Sequence, residues 1–239
     1  MIYLHVFVEG KTELNFVQRV LHPFLGYDGY LIHPVQIVTK EDHPRGRIHK
    51  GGFGKGSGRY ERVKKQIDNR TKEFNTRSSI HFFTTMFDLY ALPPCFPGYS
   101  EVSNKNIVEP YNKVKELEKS LADDINDYRF IPYIQLHEFE ALIFVDPGQL
   151  IHQYPDKVKE IESLETVLSE KNFKDNPELI NEGPTTAPSK RIIQCLPSYI
   201  KSKPIVGVNT VGKIGIDAIR KKCPHFDEWL KKLEQLKQQ

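Results

Sequence analysis

The chain has 239 residues, 38% of them hydrophobic and 27% charged, with a net charge of +3, which is long enough to bury a sizeable core and too apolar for a disordered chain. No apolar stretch approaches the roughly 18–20 residues needed to span a bilayer, and Glu9 interrupts a short N-terminal apolar run with no basic lead-in, so neither a membrane nor a secreted protein is expected. Three scattered cysteines, Cys95, Cys195 and Cys223, form no CxxC pair and fit reduced thiols in the cytoplasm better than a disulfide framework or a zinc site.

The opening IYLHVFV (2–8) reads as a strand, and it runs out into Glu9-Gly10-Lys11-Thr12-Glu13. Residues 12–25 then place Leu14, Val17, Val20, Leu21 and Leu25 near helical spacing, with Thr12 as the expected cap. HPVQIVT (33–39) reads as a second strand. Six glycines follow between Gly46 and Gly58, too many for a regular element, and predict a loop. A helix over 59–74 leads into the strand IHFFTTMF (80–87), a proline-rich break, a helix over 110–127 and a fourth strand, RFIPYIQL (129–136).

Beyond about residue 147 the β signal fades into short helical patterns, ending in an amphipathic helix or helix pair. The expected organisation is an α/β domain over 1–146 and a helical C-terminal part over 147–239 packed on it, or one unit. Strands alternating with helices of 10–15 residues argue for a parallel sheet of about four strands covered on both faces.

Charge is unevenly placed. Residues 45–77 hold 11 Lys and Arg against 3 Asp and Glu, so the remainder of the chain is net acidic. Such a segment suits an anionic polymer, although a solvated loop and helix face would look the same. As a basic flap, Arg45, Arg47, Lys50, Lys55 and Arg59 would hold phosphates of DNA or RNA. Gly54-Lys55 and Gly212-Lys213 lack the hydroxyl residue of a P-loop, so ATP hydrolysis by this chain is not expected.

In a parallel sheet the working residues gather at the carboxyl ends of the strands. Three of the predicted strands end in acids: Glu9, Asp88, and Glu138 with Glu140 in HEFEALIF. Singly these are a turn residue, a loop cap and a helix-start acid. Facing one crevice they would repel one another unless a cation sat among them, and carboxylate oxygens suit Mg²⁺ or Mn²⁺. Glu13, one helical turn into the first helix, would reach back as another ligand. Because i,i+2 residues point apart on a helix, Glu138 and Glu140 share one ion only at a strand–helix junction. His137 would join a metal shell, shuttle a proton or serve as a hydrogen-bonded structural residue. Cys223-Pro224-His225 has no second ligand pair and reads as a helix break that packs Phe226 and Trp229.

VEGKTE after the first strand, Asp88 after a later one, HEFEALIF, NEGPTTAPSKRI (181–192) and CPHFDEWL resemble the Toprim-like proteins catalogued as domain of unknown function 4276. The broader Toprim group includes topoisomerases, primases and nucleases fused or paired with overcoming-lysogenization-defect type ATPases. The resemblance implies a Toprim-like sheet and a nuclease using Mg²⁺ or Mn²⁺, acting in prokaryotic antiviral defence beside a separate ATPase. It casts Glu9 as metal ligand or general acid–base and Asp88 as the first aspartate of an Asp-x-Asp pair. The chain departs from that pattern at Tyr90, where the second aspartate would stand, leaving Glu138 and then Glu140 to complete the set. Lys190, in APSKRI, would neutralise charge on the phosphate, or is an exposed first-turn lysine. The lost aspartate keeps open a non-catalytic module that binds nucleic acid or regulates an ATPase.

Overall fold

Strand β1 (Ile2–Val8) runs up the middle of a parallel sheet, flanked by β2 (Tyr30–Gln36) and β5 (Ile80–Asp88). The computed structural model describes the chain apart from residues 27–28, 43–46, 51–52, 54–58, 76–78, 171–172, 181–184 and 239, and apart from the side chains of 39–42, 47–50, 170 and 238. The strand order is β2-β1-β5-β6, with β6 (Phe130–Ile131) and β7 (Ile134–Gln135) both pairing with β5.

The predominantly apolar character of β1 and β5 follows from burial on both faces, and their polar members His5, His81, Thr84 and Thr85 are buried with the rest. Leu4, Val6 and Val8 pack with Leu21, Val208 and Trp229 in one core, whereas Phe7, Phe83 and Phe87 pack with Val63, Ile67, Val114 and Leu117 in another. The second face is covered by α3 (Arg59–Glu73) and α5 (Pro110–Ile125), separated by the short α4 (Tyr99–Asn104). The C-terminal part contributes α6 (Val158–Glu170), α7 (Pro188–Cys195), α8 (Tyr199–Ile214), α9 (Ile216–Lys222) and α10 (Pro224–Glu234). From α10, Trp229 Nε1 donates to Thr84 Oγ1 at 2.9 Å while its ring stacks on Tyr133 with centroids 4.2 Å apart. The helical part thus shares the core beneath the strands. No helix among the described residues is long and apolar enough to cross a membrane.

Five local expectations change. HPVQIVT (33–39), expected as one strand, is divided at Ile37, whose N–H donates to Val8 O at 3.0 Å, between β2 and β3 (Val38–Asp42). The first helix is α1 (Lys11–Phe16), a π-helical turn (Val17–Leu21) and α2 (His22–Gly26) in succession. Its cap is Gly10 rather than Thr12, because Glu13 reaches back and accepts the Gly10 N–H at 2.8 Å. The glycine-rich stretch is not all loop: Arg47–Lys50, bracketed by Gly46 and Gly51 and free of glycine, forms β4 antiparallel to β3 (Val38–Asp42). The fourth strand is split into β6 and β7, since Pro132 has no N–H to donate and the Thr85 hydroxyl instead accepts from Tyr133 N at 2.9 Å.

Candidate functional site

The parallel register sets the acids at one edge. Val8 pairs with Met86, so Glu9 emerges beside the end of β5, and Asp88 pairs with Gln135 on β7. From β7 the chain turns sharply at His137, whose φ of 62° is a left-handed value that a side chain resists. Two contacts hold that turn: Tyr90 N–H donates to His137 O at 3.2 Å, and the two rings lie with centroids 5.3 Å apart. Beyond it Glu138 is extended, and Glu140 falls in the first turn of a 3-10 helix (Phe139–Val145). The strand–helix junction that the pair requires is therefore present.

Glu9, Glu13 and Glu140 are buried, and Asp88 and Glu138 are partly exposed. Asp88 Oδ1 accepts the Phe139 N–H at 3.1 Å, which ties β5 to the acidic turn. Glu138 accepts from both the N–H and the hydroxyl of Ser189 at the start of α7. Glu140 Oε1 meets Lys203 Nζ of α8 at 3.1 Å and accepts from the Tyr199 hydroxyl at 3.4 Å. Two glycines make room for this arrangement. A Cβ on Gly10 would stand 2.7 Å from Glu13 Oε2, and one on Gly207 would stand 2.6 Å from the Tyr199 hydroxyl.

The electrostatics show that the acids share one field. Burial, then Glu13, Glu9, Glu140 and Glu138, push the Asp88 carboxyl well above its ordinary range. Burial and Glu13 do the same to Glu9, and burial raises Glu13 against the pull of its backbone hydrogen bonds and Lys203. Glu140 is pushed up to about 7 by burial and Glu138, with Lys203 opposing. Glu9 Oε1 is buried and has no hydrogen-bond partner among the described residues. An orphaned, desolvated carboxylate oxygen among like charges is what a divalent cation would relieve, and the donors are all of the hard oxygen type that Mg²⁺ or Mn²⁺ prefers. Among the described residues no three acid, histidine or cysteine side chains are already drawn together as a metal-holding group. Binding would therefore pull the carboxylates inward.

The folded state holds these protons to higher pH than the unfolded chain does, so the cluster costs stability as pH rises. For Glu140 the loss runs from the unfolded value near 4.5 up to about 7. Thermal melts of the metal-free protein across that window should fall more steeply for wild type than for Glu140→Gln. Parallel curves would show that Glu140 keeps an ordinary carboxyl.

The remaining candidates are scattered. Lys190 is exposed in the first turn of α7, and the amine that meets the acids is Lys203, which the sequence reading passed over together with Ser189 and Tyr199. His137 is buried, and burial followed by Lys113 pushes its pKa down to about 4. Arg59 opens α3 half-buried. Arg45 and Lys55 lie outside the described residues, as do the side chains of Arg47 and Lys50. Phe53, within the basic segment, is buried edge-on against Phe87, the residue before Asp88, with centroids 5.2 Å apart.

A family model described as a domain of unknown function, DUF4276, matches residues 8–234. No curated protein and no solved structure matches the chain.

Proposed function

The chain belongs to the family of the domain of unknown function 4276, and we propose that it is a metal-dependent nuclease. The supporting observation is the mutually repelling set of buried Glu9, Glu13 and Glu140 with the partly exposed Asp88, and Glu9 Oε1 left without a hydrogen-bond partner among the described residues. Glu9 and Asp88 would hold Mg²⁺ or Mn²⁺, with Glu13 and Glu140 beside them. The bound ion would supply charge neutralisation at a phosphate oxygen and a water of lowered pKa. In the hydrolysis the water oxygen bonds to phosphorus, the bond to one ester oxygen breaks, and that oxygen leaves with a proton. Lys203, partly exposed and next to Glu140, brings a positive charge towards the same phosphate.

The basic segment favours a nucleic acid as the phosphodiester, DNA or RNA. Phe53, the one described residue between 51 and 58, packs against Phe87 on the strand that ends at Asp88. A separate ATPase partner and a role in prokaryotic defence follow from the Toprim resemblance and belong to this proposal.

A second reading has its own observation. Glu138 is held by Ser189, and Glu140 by Lys203 and Tyr199, an arrangement that also suits a non-catalytic module regulating a partner. A metal titration separates the two. Under the nuclease reading, saturating Mn²⁺ raises the melting temperature by about 5 °C or more through mass action, and Glu9→Gln removes the rise. The wild-type protein should also cleave plasmid or RNA with Mn²⁺. A melting temperature indifferent to Mn²⁺ and Mg²⁺, in both proteins, supports the regulatory module instead.

A further inference from the structure

Tyr90 occupies the place where the sequence pattern leads one to look for a second aspartate, and its surroundings give it a different task. It is 44% exposed, unusual for so large an aromatic side chain set next to a buried acidic cluster. The residue is nonetheless fixed. Its backbone N–H is bonded to His137 O, its ring leans on the His137 imidazole, and it sits in a 3-10 turn (Leu89–Ala91) directly after β5. An exposed aromatic face beside a phosphate-handling floor is a surface on which a base of a single strand can stack.

The reach decides which substrate fits. Tyr90 follows Asp88 by two residues, which puts their Cα atoms at most ~7 Å apart, on the order of one nucleotide step from a phosphate bound at Asp88. In a duplex the bases at that distance from the backbone are stacked and paired, with no face open to a side chain. An unpaired base has both faces free. We propose that Tyr90 is a stacking platform for an unpaired nucleobase next to the scissile phosphate, so that the site takes single-stranded or locally opened nucleic acid. This rests on the nuclease reading above.

The test uses full-length protein carrying Asp88→Asn, so that the probe survives, and fluorescence anisotropy with a labelled 20-nucleotide single strand and the duplex of the same sequence, in Mg²⁺. The single strand should bind more tightly than the duplex. Tyr90→Leu should weaken single-strand binding about tenfold while Tyr90→Phe stays within about twofold, and duplex binding should change in neither. Tyr90→Leu binding as tightly as its parent, Tyr90→Phe losing as much as Tyr90→Leu, or a preference for the duplex would each overturn the platform. Binding of neither probe would overturn the platform as well, whereas cleavage by Asp88→Asn itself at the wild-type rate would bring down the nuclease reading on which the platform depends.

Discussion

Asp88→Asn is expected to lower the cleavage rate roughly a thousandfold and to raise the melting temperature of the metal-free protein by about 3 °C. The two effects have one origin. Asp88 is desolvated and faces Glu13, Glu9, Glu140 and Glu138, so its ionised form is held against repulsion from every side. Asparagine keeps the oxygen that accepts the Phe139 N–H and offers an amide to the neighbouring carboxylates, which turns a repulsion into a hydrogen bond. It also removes the charge that a divalent cation would need. A carboxylate kept only as a cap for the turn would behave in the opposite way, since its replacement would weaken the Phe139 contact with no gain elsewhere. Melting in EDTA and in Mn²⁺, together with single-turnover cleavage, reads both halves. A destabilised metal-free Asp88→Asn, or one that cleaves as wild type does, would show that the cluster is structural.

The parts of this molecule that could be read from its sequence are those where physical chemistry is local. IYLHVFV and IHFFTTMF are legible as strands because burial on both sheet faces leaves runs rich in apolar and β-branched residues, and an acid ending such a run must stand at the sheet edge. Glu9 and Asp88 follow from that alone. Glu138 and Glu140 were legible only as acids beside a strand, because the left-handed His137 that turns them is a conformation without a composition signal. The partners of those two were not legible. Ser189 lies 51 residues from Glu138, and Lys203 belongs to a helix whose apolar pattern says nothing of where its amine points. The neighbouring Lys190 carries the more conspicuous charge, yet it is Ser189 that faces the site. Pro132 and the glycine-bracketed β4 show the converse limit, where a single residue class was given too little weight in one case and too much in the other.

Glu178→Ala is expected to cost about 3–5 kcal/mol and to lower the melting temperature by about 10 °C. Glu178 is fully buried, yet it stands in a short 3-10 turn (Pro177–Leu179) with no sequence pattern to mark it. One of its oxygens accepts the His225 N–H at 3.0 Å and the Tyr111 hydroxyl at 3.1 Å, and the other accepts the Phe226 N–H at 2.9 Å. The two amides are in the first turn of α10, where free N–H groups and the positive end of the helix dipole both call for an anion. Tyr111 belongs to α5, so one carboxylate joins helices on opposite faces of the sheet. Alanine would leave the buried His225 and Phe226 N–H groups without the carboxylate, while the Tyr111 hydroxyl keeps Asn176 Oδ1 at 3.0 Å. It would also release the end of α10 that places His225 against Glu118 and Trp229 against Thr84. Glu178→Gln keeps one oxygen but turns an amide towards N–H donors, and should fall between wild type and alanine. Tyr111→Phe should cost only about 1 kcal/mol. Equilibrium urea unfolding of the three variants gives this order directly, and a Glu178→Ala protein within about 1 kcal/mol of wild type would mean that α10 is held by apolar packing alone.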